Sequence, residues 1–165
     1  SWMVRAAKLL GKDVSAAANY PAWALAVGAF DNLGMKLLDP NGPNGWKEDT
    51  AWLNSNTVRY RTRVAAAVAL AETTNYQASK EAASKTYTIF PTDPATWFTT
   101  APTNAGEVMA RLLELLQPGT IPVAVRQSWQ AALFTGTFDW STDATKRAAR
   151  ALAFLILCSP GGQVY

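Results

Sequence analysis

The sequence predicts an all-α protein, an irregular bundle of about six to eight helices with long loops and no significant sheet. Three observations predict it. Apolar residues recur at helical spacing along most of the chain, for example Val108, Leu112, Leu115 and Leu116. Helix start and stop signals bracket those stretches: Asn104 with Glu107, Pro118-Gly119, Pro122, and Thr142. No strand is convincing, because the one run of β composition, Thr86 to Phe90, has no hairpin partner.

The elements follow in order. Trp2, Met3, Ala6, Leu9 and Leu10 share a helical face, and Gly11 stops that helix. A second helix starts at Pro21, carries Trp23, Val27 and Phe30 as a stripe, and ends at Gly34. Roughly twenty irregular residues come next, longer than the ~12–15 that compact domains usually allow. Ser55 or Asn56 is the expected cap of a helix from Thr57 to Glu72, with Tyr60, Val64, Ala67 and Ala71 on one face.

Residues 73–102 are the least regular part, with short helices expected over Gln77 to Ser84 and after Asp93-Pro94. A helix then starts near Thr103, and another starts at Pro122 with Val125, Trp129 and Leu133 aligned. The last helix, Asp143 to Cys158, is capped by Ser141 or Thr142. It is basic outside and Ala-rich inside over its first half, and apolar all round over its second, so its end should be buried. Ser159-Pro160-Gly161-Gly162 terminates it.

The 165 residues suit one domain, 1–165. The abrupt helical opening WMVRAAKLL reads as entry into the middle of a fold, and so as a processed or truncated piece of a longer protein. Charged residues make up only 16% of the chain against 49% hydrophobic, with seven Trp, which fits equally surfaces covered by a partner or by the rest of a larger protein and a well-filled core under a thinly charged surface. A net charge of +3 is too mild for a nucleic-acid partner. No apolar run is long enough for a transmembrane segment.

The absence of histidine removes His-based triads and dyads and the usual zinc and haem ligand sets from this chain. The lone Cys158, in the run AFLILC, reads as a small buried hydrophobe. No paired carboxylates, phosphate loop or nucleophile elbow stand out. No catalytic residue is named, no cofactor is expected, and the balance is against an enzyme.

The stretch Leu37 to Arg61 is the most specific. Asp39, Asn41, Asn44, Glu48 and Asp49 offer oxygen ligands of the kind calcium takes, but the EF-hand pattern fails at Pro43 and Asn44, and turn chemistry is the favoured reading. Trp46 and Trp52 form either a platform for a sugar ring, with Asn54 or Asp39 as polar partners, or buried anchors of the loop, the favoured use. Of Arg59, Arg61 and Arg63, only Arg59 and Arg63 are helical neighbours. They clamp an anion or, as favoured, brace the preceding loop.

The run Leu33-Gly34, Leu37-Leu38-Asp39-Pro40, Gly45-Trp46, Trp52-Leu53-Asn54-Ser55, Thr57 and Arg61 resembles the C-terminal region of the bacterial domain of unknown function 1800 family. WMVRAAKLLG and LAFLILCSPGGQV resemble the flanking helices, so the likeness spans essentially the whole chain. Departures are Lys47-Glu48-Asp49 in a usually Gly-rich segment, Met35 at a common Gln, and Gly161-Gly162 for Glu-Phe. The resemblance implies a helical, commonly exported bacterial protein with no established activity.

Two functional expectations result. The first is a non-catalytic structural or interaction module that packs on a protein partner or on a missing N-terminal half. The alternative is a glycan- or cation-binding domain, enzymatic or not, using Asp39, Asn41, Trp46, Trp52, Asn54 and Arg61.

Overall fold

A computed structural model describes residues 55–70, 74–76, 85–87 and 93–163 of the chain. The described part is helical, as expected. Helix α1 spans Ser55–Ala65 and runs on as a π-helical segment, Ala66–Leu70. A 3-10 turn at Pro94–Trp97 leads to α2 (Ala105–Leu116), α3 (Val123–Leu133), α4 (Asp143–Cys158) and a terminal turn of helix, α5 (Pro160–Gln163). The helices expected over 2–10, 21–33 and 77–84 lie outside the described residues.

One local expectation is corrected. Thr86 does have a strand partner: β1 (Thr74–Tyr76) pairs antiparallel with β2 (Lys85–Tyr87), Asn75 opposite Thr86. Three residues a side make a ladder too small to change the all-α class. Ser55 and Asn56 differ too, since both are already inside α1. Polar residues are tolerated there because first-turn N–H groups have no intrahelical acceptor to lose.

Helix α2 begins as its sequence dictates. The Asn104 side chain accepts from the Glu107 N–H at 3.0 Å, while the Glu107 carboxylate accepts from the Thr103 N–H at 2.7 Å, so two end groups are satisfied reciprocally. At its far end Gln117 adopts the left-handed conformation, φ 43°, and its N–H closes on the Leu113 carbonyl at 2.8 Å. Pro118 then prevents continuation. Thr142 caps α4 by accepting from the Thr145 N–H at 3.3 Å.

Helix α4 is the hub, touching α1, the π segment, the 3-10 turn, α2, α3 and α5. Ala149, Leu152, Ala153, Ile156 and Leu157 form its buried side, meeting Val108, Met109, Leu112 and Leu116 of α2 and Ala65, Val68 and Ala69 of the first helix. Burial of its second half matches the sequence reading. Cys158 is half-buried rather than buried; burial pushes its thiol pKa up, against a smaller opposing pull from a hydrogen bond with Thr62.

The end of α4 is held by backbone contact. The Ser159 hydroxyl donates to the Ile156 carbonyl at 2.7 Å and accepts from the Gly162 N–H at 3.0 Å. The Gly119 N–H donates to the Gly161 carbonyl at 2.6 Å. A Cβ on Gly161 would lie 2.8 Å from the Thr120 carbonyl oxygen, and one on Gly162 would collide with the Ile156 carbonyl oxygen. The two glycines therefore let two backbone segments approach more closely than any side chain permits.

Candidate functional site

The 3-10 turn presents Asp93 and Pro94 toward the first turns of α4, and between them lies an open cleft of about 420 Å³ lined by Asp93, Pro94, Asp143, Lys146, Arg147 and Arg150. Local chemistry explains the placement. Asp93 is fixed because its Oδ1 accepts from the Ala95 N–H at 3.0 Å, capping the turn that Pro94 opens. Trp97 buries its ring in the core, and its carbonyl accepts from Arg111 Nε at 2.7 Å. That bond ties the turn to α2. Lys146, Arg147 and Arg150 sit at i, i+1 and i+4 on the side of α4 away from Leu152 and Ile156.

Three cations face two carboxylates here. Lys146 Nζ lies 3.7 Å from Asp93 Oδ1, a loose ion pair rather than a short charge-assisted bond. Arg147 is exposed. Arg150 is half-buried; burial pulls its guanidinium pKa down and the nearby Asp93 charge partly restores it. Its Nη1 is shut off from solvent and has no hydrogen-bond acceptor. The arrangement offers positive charge and donors to an acidic group.

Of the candidate site residues Asp39, Asn41, Trp46, Trp52, Asn54 and Arg61, Arg61 is described. It is a buried residue on α1, 7% exposed, and burial pulls its guanidinium pKa below the usual value. That placement suits a side chain bracing its surroundings more than one meeting a ligand from solvent. Asp39, Asn41, Trp46, Trp52 and Asn54, with Asn44, Glu48 and Asp49 of the calcium alternative, lie outside the described residues. Among the described residues no three His, Cys, Asp or Glu side chains gather as a metal site. Nor is any described helix long and apolar enough to cross a membrane.

Sequence reasoning passed over the basic cleft. Its signal was the KRAAR run at 146–150, read as the outer face of a helix. Asp93 belongs to a distant segment, and its approach depends on tertiary packing.

A second surface stands out on α3. It has no fully buried side chain, although Val125, Trp129 and Leu133 lean on the core. Its outward face consists of Val123, Ala124, Gln127, Ser128, Ala131 and Ala132, all exposed and none charged. Beyond it the half-buried rings of Phe134, Phe138, Trp140 and Phe98 run in series, with centroids 5.8, 6.4 and 4.9 Å apart. Gln130 Nε2 fixes α3 by donating to the Ala105 carbonyl at 3.0 Å.

Residues 2–164 match the family described as "Protein of unknown function (DUF1800)". No curated protein and no solved structure matches the chain.

Proposed function

The chain belongs to the DUF1800 family, described only as of unknown function, and from that premise we propose that it is a non-catalytic helical module acting by association with another protein surface. The observation that carries this reading is the outward face of α3, six exposed positions without a charge, with Val123 58% exposed. Small uncharged side chains let a second element approach closely, and removing such a face from water needs no charge to be desolvated. The low charged fraction of the chain, 16%, supports the same reading. The partner is a further part of the same protein or a separate subunit. An exported setting is included in the proposal on the family resemblance alone.

The test is Val123→Asp combined with Ala131→Glu in the full-length protein, followed by cross-linking mass spectrometry and light scattering. Both positions are exposed, so the fold should survive, and circular dichroism checks that. Loss of cross-links to α3 with a preserved fold supports the proposal. An unchanged cross-link map and unchanged mass overturn it. The alternative at Trp46 and Trp52 rests on sequence alone; unchanged glycan and metal binding in Trp46→Ala and Asp39→Ala would remove it.

A further inference from the structure

We propose that the cleft between the 3-10 turn and α4 is a binding site for a small oxyanion, a ligand carrying a carboxylate or phosphate group, independent of the association surface on α3. Four observations converge. The cleft volume of about 420 Å³ falls within the ~300–1,000 Å³ typical of small-molecule sites. Lys146, Arg147 and Arg150 outnumber Asp93 and Asp143 in its lining.

The carboxylates present answer those cations only in part. Asp93 Oδ1 already accepts the Ala95 N–H at 3.0 Å and stands 3.7 Å from Lys146. Asp143, exposed in the first turn of α4, forms no ion pair with the three cations. Finally, Arg150 keeps a buried Nη1 without an acceptor, an arrangement that costs stability unless something is gained by it. Guanidinium groups suit planar or tetrahedral oxyanions because their N–H fork matches two oxygens at once.

The same features exclude other ligands. A metal cation would meet net positive charge here. An extended nucleic acid needs a wider basic track than three cations on two turns of one helix provide. Asp93 and Asp143 at the rim would repel a large polyanion while leaving room for one compact group. In this site Arg147 and Lys146 bind the ligand directly, and Arg150 sets the field behind them.

The experiment is isothermal titration calorimetry on the intact protein at low salt, with inorganic phosphate in one arm and succinate in the other. Saturable one-to-one binding of at least one probe is expected, and the stronger arm identifies the chemistry. Arg147→Gln and Lys146→Gln, both on the helix surface, should each weaken it about tenfold, the loss expected of one charge-assisted hydrogen bond. Arg59→Gln, an exposed arginine on α1, should leave it unchanged. No saturable heat from either probe, or equal weakening by Arg59→Gln, overturns the assignment. So does binding that persists in both cleft variants.

Discussion

Replacing Gly162 with alanine puts a methyl group where the fold has placed backbone. The new Cβ would collide with the Ile156 carbonyl oxygen and stand 2.9 Å from that of Leu157. Both belong to the last turn of α4, and both residues are buried, Ile156 completely and Leu157 at 1% exposed. Neither carbonyl can move without shifting the core, so the tail must lift instead. Lifting it breaks the 2.6 Å bond from Gly119 to Gly161 and the 3.0 Å bond from Gly162 to Ser159. At about 0.5–1.5 kcal/mol for each bond, plus part of the desolvation cost of the groups left behind, the loss is about 2–4 kcal/mol. For a chain of this size that lowers Tm by roughly 5–15 °C. Urea unfolding followed by circular dichroism reads it as a lower midpoint with unchanged slope. Gly136→Ala is the control: nothing lies within 4 Å of its Cβ, so only its φ of 89° carries a penalty, about 1 kcal/mol. A Gly162→Ala loss below ~0.5 kcal/mol, within ordinary surface noise, or one smaller than that of Gly136→Ala, refutes the close-approach argument.

Leu112→Ala removes a side chain with no exposed surface from the α2–α4 contact and should cost about 2–5 kcal/mol, measured in the same unfolding assay. Thr142→Ala removes the cap of α4 and should cost about 1 kcal/mol, while Thr142→Ser should cost far less. Glu107 is held below the usual carboxylate range first by the Thr103 N–H, then by the Thr103 hydroxyl and the Asn104 amide. A depressed folded-state pKa means that its stabilisation is full above the unfolded value, about 4.3, and is lost as pH falls through the lower folded value. Glu107→Gln should therefore make the acid limb of the stability curve shallower, and a carboxyl titration by NMR should place wild-type Glu107 below the ordinary range.

The parts of the fold that were legible in the sequence are those written in local chemistry. Asn104 with Glu107, Thr142, and Asp93-Pro94 each announce a helix start through side chains that bond the nearest backbone, and each sits where that rule puts it. The π segment Ala66–Leu70 carried no such signal, because in AAVAL one side chain is much like the next and periodicity has nothing to mark. The pairing of β1 with β2 was missed because eight residues intervene between Tyr76 and Lys85, and hairpin rules look for short turns. The basic cleft was half legible: Lys146, Arg147 and Arg150 were evident as a helix exterior, but Asp93 joins them only because Trp97 anchors the turn in the core. Of the stretch Leu37 to Arg61 that drew most attention in the sequence, residues 55–61 fall in the described part, and Arg61 among them lies buried on α1.

These features share one cause in α4. The helix buries Leu152, Ala153, Ile156 and Leu157 along its second half and carries Lys146, Arg147 and Arg150 in its first two turns, where the cleft lies. Thr142 fixes its first turn, and the glycine-lined approach of the tail fixes its last. A cationic triad on a helix pinned at both ends holds its geometry more closely than the same residues on a loop would. Rigidity and binding are therefore separable by mutation. Gly162→Ala acts at the far end of α4 from the cleft, so at a temperature where the variant is still folded it should lower stability without changing the affinity for phosphate or succinate. Arg147→Gln should do the reverse. If the glycine variant weakened oxyanion binding as much as the arginine variant does, the cleft would owe its affinity to the packing of the whole helix rather than to its own cations.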